Sequence, residues 1–241
     1  MMSDRLLIRI DGWFKDLSKL RLVCRFSLMM KAIAKPIGLD KMETIESIYQ
    51  RRAVKHYDPD YVMPAEDEQK LLEATIQAPT SFNIQHWRLV LLKDPELRKQ
   101  VRALAFDQAQ VTDASLVVVF TGDVKAWAKE PERYWVNAPE AVAEQLVGMI
   151  GPFHDGREWL QRDEAQRSIG MAMQTLMLSA KALGYDSCPM IGFDIDKVAE
   201  LIKLPEDHVM GPMVAIGKGT KAAWPKPGQL PLSDIVSENS F

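Results

Sequence analysis

The sequence predicts a fold of mixed helices and strands, α+β or α/β, in which helices wrap a central sheet. Residues 115–123, SLVVVFTGD, form an apolar run that is consistent with a central buried strand. Residues 158–183 predict the longest helix, because apolar side chains recur there at helical spacing, and Gly184 is placed to end it. The members of this stripe are Ile169, Met173, Leu176, Met177, Ala180 and Leu183. Hairpin signals are few and no internal repeat occurs, so both kinds of element are interspersed along one chain.

The predicted domain begins with a short helix in the stretch METIESIYQRR. Its apolar side chains Ile45, Ile48 and Tyr49 are expected to face inward. Arg51 and Arg52 fall at its C-terminal end, where cations favour the helix dipole. The dipole alone is therefore one structural reason for two adjacent arginines.

The next elements follow in chain order. PAEDEQKLLEATIQAP predicts a helix, because Pro64 lies near its start, acidic residues fill its first turn and Pro79 lies beyond its end. Residues 87–92, WRLVLL, predict a strand, and DPELRKQVRALA and PEAVAEQLVGMI predict two helices. GPMVAIGKG predicts a last core strand, and the tail KPGQLPLSDIVSENSF has the irregular character of an arm.

Composition is that of an ordinary globular protein. The 241 residues are 47% hydrophobic and 26% charged, with a formal net charge of −3. This balance argues against general nucleic-acid binding, which needs a basic surface. Two cysteines, Cys24 and Cys188, form neither a disulfide framework nor a zinc cluster, so the cytoplasm is the expected location. No apolar stretch reaches the length of a membrane-spanning helix.

Residues 1–42 differ from the rest of the chain. Charged residues interrupt their apolar positions, which argues against a signal peptide. We expect an N-terminal extension that is helical or partly disordered, with peripheral membrane contact by a basic amphipathic helix as an alternative. The folded domain is expected over residues 43–241, and Met30 and Met42 are alternative starts.

One stretch concentrates positive charge. RRAVKHYDPD places Arg51, Arg52, Lys55 and His56 within six positions. Arg51 and Lys55, four residues apart, can share one face of a helix or turn. A solvated surface and a binding site for an anion are the two interpretations.

Two further stretches are suited to ligand contacts. In APTSFNIQHW, Thr80, Ser81 and Asn83 offer hydroxyl and amide groups that suit the edge of a heterocycle, or that simply end a helix and satisfy a turn. In YDSCPMIGFD, Pro189 and Gly192 bracket a tight segment whose backbone N–H groups can point at a ligand. Cys188 has no identifiable base beside it in the sequence, and we interpret it as a small hydrophobic residue.

The sequence lacks the common motifs of protein-based catalysis. His56, His86, His154 and His208 are not spaced as metal ligands, and neither G-x-S-x-G nor the glycine motifs of nucleotide-binding loops occur. Such a chain suits chemistry performed by a bound cofactor. An anionic cofactor would explain the basic stretch.

Four stretches in order resemble motifs of the flavin-dependent nitroreductase family: RRAVKHY, APTSFNIQHW, LSAKALGYDSCPMIGFD and GPMVAIGKG with PKPGQLPLSDIV. The resemblance spans residues 43–237 and implies a homodimeric α+β fold with a mostly antiparallel sheet and FMN at the dimer interface. It also implies ping-pong hydride transfer from NAD(P)H, through flavin N5, to a nitroaromatic, a quinone or a similar acceptor. The alternatives are a relative with another reductive reaction, such as enone reduction or dehalogenation, and a non-catalytic flavin-binding protein.

The same resemblance implies individual contacts to FMN. The basic stretch, with Lys226, would bind the phosphate and the ribityl–isoalloxazine edge, and the 78–87 stretch would approach from the partner subunit. Gln110, with Gln108 beside it, would contact the pyrimidine side, and a backbone N–H of Ile191 or Gly192 would serve N5. The expected contacts are Arg51, Arg52, Ala53, Lys55, Pro79, Thr80, Ser81, Asn83, Gln110, Pro189, Met190, Ile191, Gly192 and Lys226.

The sequence departs from the family pattern at several positions. Ala53 replaces a common Ser, His86 replaces the Pro before Trp87, and Ile191 stands where some members have Glu. Gly228-Gln229 replaces a common Arg after the Pro-Lys-Pro segment, which changes the phosphate site.

Residues 124–160 carry several aromatic side chains. Trp127, Trp135, Phe153 and His154 are expected to form a substrate lid, unless they belong to the core or to an interface. A lid of this kind would select the acceptor.

Overall fold

The computed structural model describes residues 42–241. The expectations for residues 1–41, an extension and a membrane contact, lie outside the described residues. The division at residue 42 therefore stays a prediction. None of the described helices is long and apolar enough to cross a bilayer.

Helices and strands are interspersed along the described chain, as the sequence predicts. The helices are α1 (Thr44–Gln50), α2 (Ala65–Thr75), α3 (Pro95–Leu104), α4 (Gln110–Asp113), α5 (Glu140–His154), α6 (Glu158–Ala182) and α7 (Ile195–Leu201). The strands are β1 (Trp87–Leu91), β2 (Leu116–Asp123), β3 (Asp186–Met190) and β4 (His208–Gly217). Short 3₁₀ turns cover Ser81–Asn83, Ala126–Ala128, Pro131–Tyr134 and Leu232–Asp234.

The four strands form one antiparallel sheet in the order β1-β2-β4-β3. A single parallel bridge adds Ala53 to the outer edge of β3, opposite Ser187. The expected α+β architecture with a mostly antiparallel sheet is confirmed.

Both faces of the sheet are buried, which explains the apolar run of β2. Its eight residues are all buried, and alternate side chains point to opposite faces. Val117 and Val119 belong to a core on one face, with α3 and α7, whereas Val118 and Phe120 pack on the other face under α6. A strand covered on both sides cannot alternate apolar and polar residues.

Helix α6 confirms the predicted apolar stripe. Ile169, Leu176, Met177 and Ala180 are buried against the sheet. The helix stops before Gly184, whose φ of +77° is the left-handed conformation that glycine adopts without steric cost.

One prediction about α1 is wrong. Ile45, Ile48 and Tyr49 do not face inward but are 65%, 45% and 74% exposed, while Ser47 is the buried residue of this helix. The apolar spacing correctly predicted a helix with an apolar face. In the single chain, however, nothing within the described residues covers that face.

A second prediction is incomplete, because the sequence pattern does not indicate strand β3. Residues 186–190 pair with β4 over their whole length. Pro189 has no N–H to donate, and it is tolerated here because β3 lies at the edge of the four-stranded sheet. The tight segment that the sequence predicts begins after Met190.

Candidate functional site

Most of the basic stretch lines one pocket with the start of the C-terminal arm. The pocket has a volume of about 380 Å³, and its wall includes Arg51, Arg52, Lys55 and His56 together with Lys226. The chain after β4 returns to the basic stretch, because the Thr220 N–H donates to the His56 carbonyl at 2.9 Å. This pairing brings cations from both ends of the domain together.

The pocket has an excess of positive charge. Within residues 42–241, Arg51 and Lys55 make no ion pair, and no acidic side chain lines the pocket. Arg52 is partly engaged, since its Nη1 donates to the carbonyls of Tyr49 at 2.6 Å and Arg51 at 2.8 Å. The Lys226 ammonium donates to the Gln229 side chain. Unneutralised cations that converge on a concave surface favour an anionic ligand.

Strand β3 lies directly beside this pocket. The Val54 N–H donates to the Ser187 carbonyl at 3.1 Å, so the basic stretch runs along the strand. Burial raises the pKa of the Cys188 thiol, and the nearby charges of Lys55 and Arg51 oppose this effect. Cys188 is only 3% exposed, which suits the structural interpretation made from the sequence.

The segment after β3 leaves backbone donors free. Met190 is buried, whereas Ile191 is 65% exposed and Gly192 is half-buried. Within residues 42–241, the N–H groups of Ile191 and Gly192 have no hydrogen-bond acceptor. A Cβ at Gly192 would come no closer than 3.5 Å to another group, so packing inside the chain does not demand glycine there. A close approach by a ligand is a reason for glycine that remains.

Two glutamines connect this segment to α4. Gln108 Nε2 donates to the Gly192 carbonyl at 2.8 Å, and Gln110 Nε2 donates to Gln108 Oε1 at 3.0 Å. Gln110 is 3% exposed and lies behind Gln108, which is half-buried. The structure therefore brings Gln108 closer to the β3 segment than Gln110, although the sequence favoured Gln110.

The 78–87 stretch lies in a separate place and does not line the basic pocket. Thr80 Oγ1 accepts from the Gln85 N–H at 2.9 Å, and Asn83 Nδ2 donates to the Tyr134 carbonyl at 2.8 Å. Phe82, Asn83 and Gln85 have positive φ values of 50°, 55° and 54°. Three such residues in one loop are costly, and they persist where the surroundings hold them in place.

Aromatic side chains of the predicted lid hold this loop. The Phe82 ring packs against Phe153 and His154, with ring centroids 5.3 and 6.0 Å apart. His154 is fully buried and stacks on Trp127 with centroids 5.7 Å apart. Trp135 packs against the same cluster. The 78–87 stretch and the predicted lid thus form one packed unit.

Two other features have the composition of ligand sites, but their charged groups are already paired. A larger cavity of about 520 Å³ is lined by Lys93 and Lys99, but these ammonium groups are paired with Glu68 at 2.6 Å and Glu96 at 2.7 Å. Asp123, Asp207 and His208 lie close enough to share a metal ion. However, Lys129 Nζ already contacts both carboxylates, at 2.8 and 2.6 Å. Its hydrogen bond helps to lower the pKa of Asp207 to about 2.

One residue of the basic pocket escaped the sequence analysis. Trp224 lines the pocket and is 86% exposed, and Lys55 Nζ lies 5.8 Å from its ring centroid. An isolated Trp in an irregular arm gives no periodic signal. Only its position two residues before Lys226 could have drawn attention to it.

Fold and site together define an α+β protein with a pocket of converging cations beside the edge of an antiparallel sheet. A sequence model described as the nitroreductase family matches residues 48–218, and the chain belongs to that family.

Individual relatives agree with this assignment. The chain is 60% identical over 200 residues to Protein DrgA of Synechocystis sp., covering 81% of this chain and 95% of that protein. It is 29% identical over 197 residues to YodC of Bacillus subtilis, provisionally named an NAD(P)H nitroreductase, covering 80% and 96%. A structure from Exiguobacterium sibiricum, provisionally named a nitroreductase and solved in complex with FMN, superposes with a TM-score of 0.75 at 29% identity. That match covers 81% of this chain and 97% of the solved one.

Proposed function

We propose that this chain is an FMN-dependent NAD(P)H oxidoreductase that acts on a nitroaromatic, a quinone or a similar acceptor. Membership of the nitroreductase family supports an oxidoreductase, and the FMN complex of a structural relative supports the choice of flavin. When bound, FMN would supply hydride acceptance from NAD(P)H and, after the nicotinamide leaves, hydride donation to the acceptor, which is a ping-pong reaction. Cytoplasmic location, predicted from the sparse cysteines, belongs to the same proposal.

The pocket fits the phosphate end of FMN. A phosphate monoester carries close to two negative charges, and Arg and Lys bind it by charge-assisted hydrogen bonds. Arg51 and Lys55 have no ion pair to break within the described residues, and Lys226 faces the same cavity. This convergence of free cations is the observation that carries the proposal.

The β3 segment fits the flavin ring. Pro189 and Met190 end strand β3, and Ile191 and Gly192 follow it out of the sheet. The N–H groups of Ile191 and Gly192 are unpartnered within residues 42–241. An N–H donor near N5 would favour the electron-rich ring, because donors aimed at developing negative charge act without reorganising. The Gln110–Gln108 pair fixes the Gly192 carbonyl and so orients this segment.

We further propose that the protein is a homodimer with the flavin at its interface. The exposed apolar face of α1 needs a cover, and exposed apolar residues recur along the C-terminal arm. The arm residues concerned are Leu230, Leu232, Ile235, Val236 and Phe241. The loop with Pro79, Thr80, Ser81 and Asn83 does not line the basic pocket of its own chain, so it would reach a flavin only across the interface.

The test removes the two free cations. Arg51→Ala combined with Lys55→Ala is expected to weaken FMN binding at least about a hundredfold, since each hydrogen bond between charged groups contributes roughly 1.5–3 kcal/mol. Binding is measured by quenching of FMN fluorescence on titration with the protein. Because both side chains reach into the pocket rather than the core, the thermal midpoint without FMN is expected to stay at the wild-type value.

The matched control is Lys93→Ala combined with Lys99→Ala, which removes two exposed cations from the larger cavity. It is expected to bind FMN as the wild type does. A folded Arg51/Lys55 double variant that still retains FMN would contradict the phosphate site. Loss of FMN binding in the control alone would indicate that FMN binds in the larger cavity instead.

A further inference from the structure

Trp224 is a solvent-exposed tryptophan at the mouth of the basic pocket. It is 86% exposed, although tryptophan is on average a well-buried residue. The pocket wall that it shares with Lys55 continues through Pro225 to Lys226. The ring therefore lines the same pocket as two cations that we assign to the phosphate.

The contact of this ring with Lys55 has the geometry of a cation–π interaction. Lys55 Nζ lies 5.8 Å from the ring centroid, within the range of about 6 Å over which an ammonium is attracted to an aromatic face. Within residues 42–241, Lys55 makes no ion pair or hydrogen bond that would otherwise fix it. A lysine side chain has several rotatable bonds and loses much rotamer freedom when it is held at a ligand.

Backbone pairing, and not the packing of its own side chain, sets the position of Trp224. Tyr57 and Gly219 form an antiparallel bridge, and the Thr220 N–H donates to the His56 carbonyl at 2.9 Å. These bonds set the arm beside the basic stretch whatever side chain stands at position 224. Replacing the ring is therefore expected to leave the fold intact.

We propose that Trp224 is a positioning residue, which holds the Lys55 ammonium at the phosphate end of the flavin site. The inference rests on the proposed function, because it takes FMN as the ligand. An ammonium that is already attracted to the ring face loses less rotamer freedom when it binds a phosphate. The ring acts through Lys55 and not on the isoalloxazine.

The experiment compares FMN with riboflavin, which has the same ring but no phosphate. Trp224→Ala is expected to raise the Kd for FMN about three- to fivefold, as for an exposed cation–π pair, and to leave the Kd for riboflavin unchanged. Trp224→Phe keeps an aromatic face and is expected to stay within about twofold of the wild type for FMN. Both constants are measured by fluorescence titration of the full chain.

Trp159→Ala is the matched control, because Trp159 is 63% exposed but lies on α6 away from the basic pocket. It is expected to leave both constants unchanged. An unchanged FMN constant in Trp224→Ala overturns the inference, and so does an equal loss for riboflavin, which would mean direct stacking on the ring or a general structural role. A wild-type protein that binds neither flavin would instead overturn the proposed function.

Discussion

At the residue scale, His86 shows how burial controls the charge of a side chain beside the site. It is fully buried, its Nδ1 lies 3.0 Å from Ser168 Oγ, and its Nε2 has no partner within residues 42–241. Burial lowers the pKa of His86 to about 4, with smaller contributions in the same direction from His154 and Arg88 and an opposing one from Asp123. The imidazole is therefore neutral in the folded protein at pH 7.

This depressed pKa predicts loss of stability in mild acid. The unfolded chain binds a proton at His86 below its ordinary pKa near 6.5, whereas the folded chain does so only below about 4. The stabilisation that comes from neutral His86 is therefore present above pH 6.5 and is lost as the pH falls from 6.5 towards 4. Below about pH 4 this contribution changes no further. Between pH 7 and pH 5 the loss from this group is about 2 kcal/mol.

Urea unfolding of the FMN-free protein at pH 7 and pH 5 measures this loss. His86→Asn keeps a polar atom for Ser168 but cannot titrate. From pH 7 to pH 5, the free energy of unfolding of this variant is therefore expected to fall by about 2 kcal/mol less than that of the wild type. Equal pH dependence of the two proteins would refute the assignment to His86.

Single residues also show what the sequence can and cannot reveal about the site. Arg51, Arg52 and Lys55 lie within five positions of one another, so their convergence on one surface was predictable. The hydrogen bonds from Arg52 to two backbone carbonyls were not predictable, because they depend on the conformation of the chain where α1 ends. Trp224 was missed because its role depends on the long-range return of the arm.

At the element scale, two glycines allow helix α6 to pack closely on the sheet. A Cβ at Gly122 would lie 3.0 Å from Ile169 Cδ1, and a Cβ at Gly211 would lie 2.8 Å from Ile169 Cγ2. These glycines lie on the neighbouring strands β2 and β4 and create the hollow that Ile169 fills. Close packing of this kind tolerates no added methyl group.

Gly211→Ala is therefore expected to destabilise the fold by about 1–3 kcal/mol, the usual cost of overpacking a core. The added Cβ would also lie 3.0 Å from the Phe120 carbonyl oxygen, which the sheet holds in place. Urea unfolding gives the free-energy difference.

Gly148→Ala, on α5 with nothing within 4 Å of the new Cβ, is the control and is expected to stabilise by roughly 0.5–1 kcal/mol. If Gly211→Ala were as stable as the wild type, the described seating of α6 would be incorrect.

Elements with strong internal signals were predictable. The strands β1, β2 and β4 and the helices α2, α3, α5 and α6 follow apolar runs, caps or stripes. Strand β3 was not, because Pro189 and the polar residues Asp186 and Ser187 give it no apolar alternation. Its strand character comes from β4 and from the bridge at Ala53, both distant in sequence.

At the scale of the whole molecule, the two parts of the proposed site lie in different places within a single chain. The basic pocket and the β3 segment lie together, while the strained 81–85 loop packs with the predicted lid. The apolar face of α1 was predicted from spacing, but spacing does not reveal whether the same chain or a second copy covers it. A dimer would explain both observations.

Cofactor loading and reduction are properties of the whole molecule, and they test the proposed function most directly. The wild-type protein, loaded with FMN and freed of excess, is mixed with NADH or NADPH without oxygen while its visible spectrum is recorded. The expected result is flavin absorption that corresponds to about one FMN per subunit and that bleaches with either nicotinamide. A protein that stays colourless after FMN addition, or a flavin that neither nicotinamide bleaches, would contradict an FMN-dependent NAD(P)H oxidoreductase.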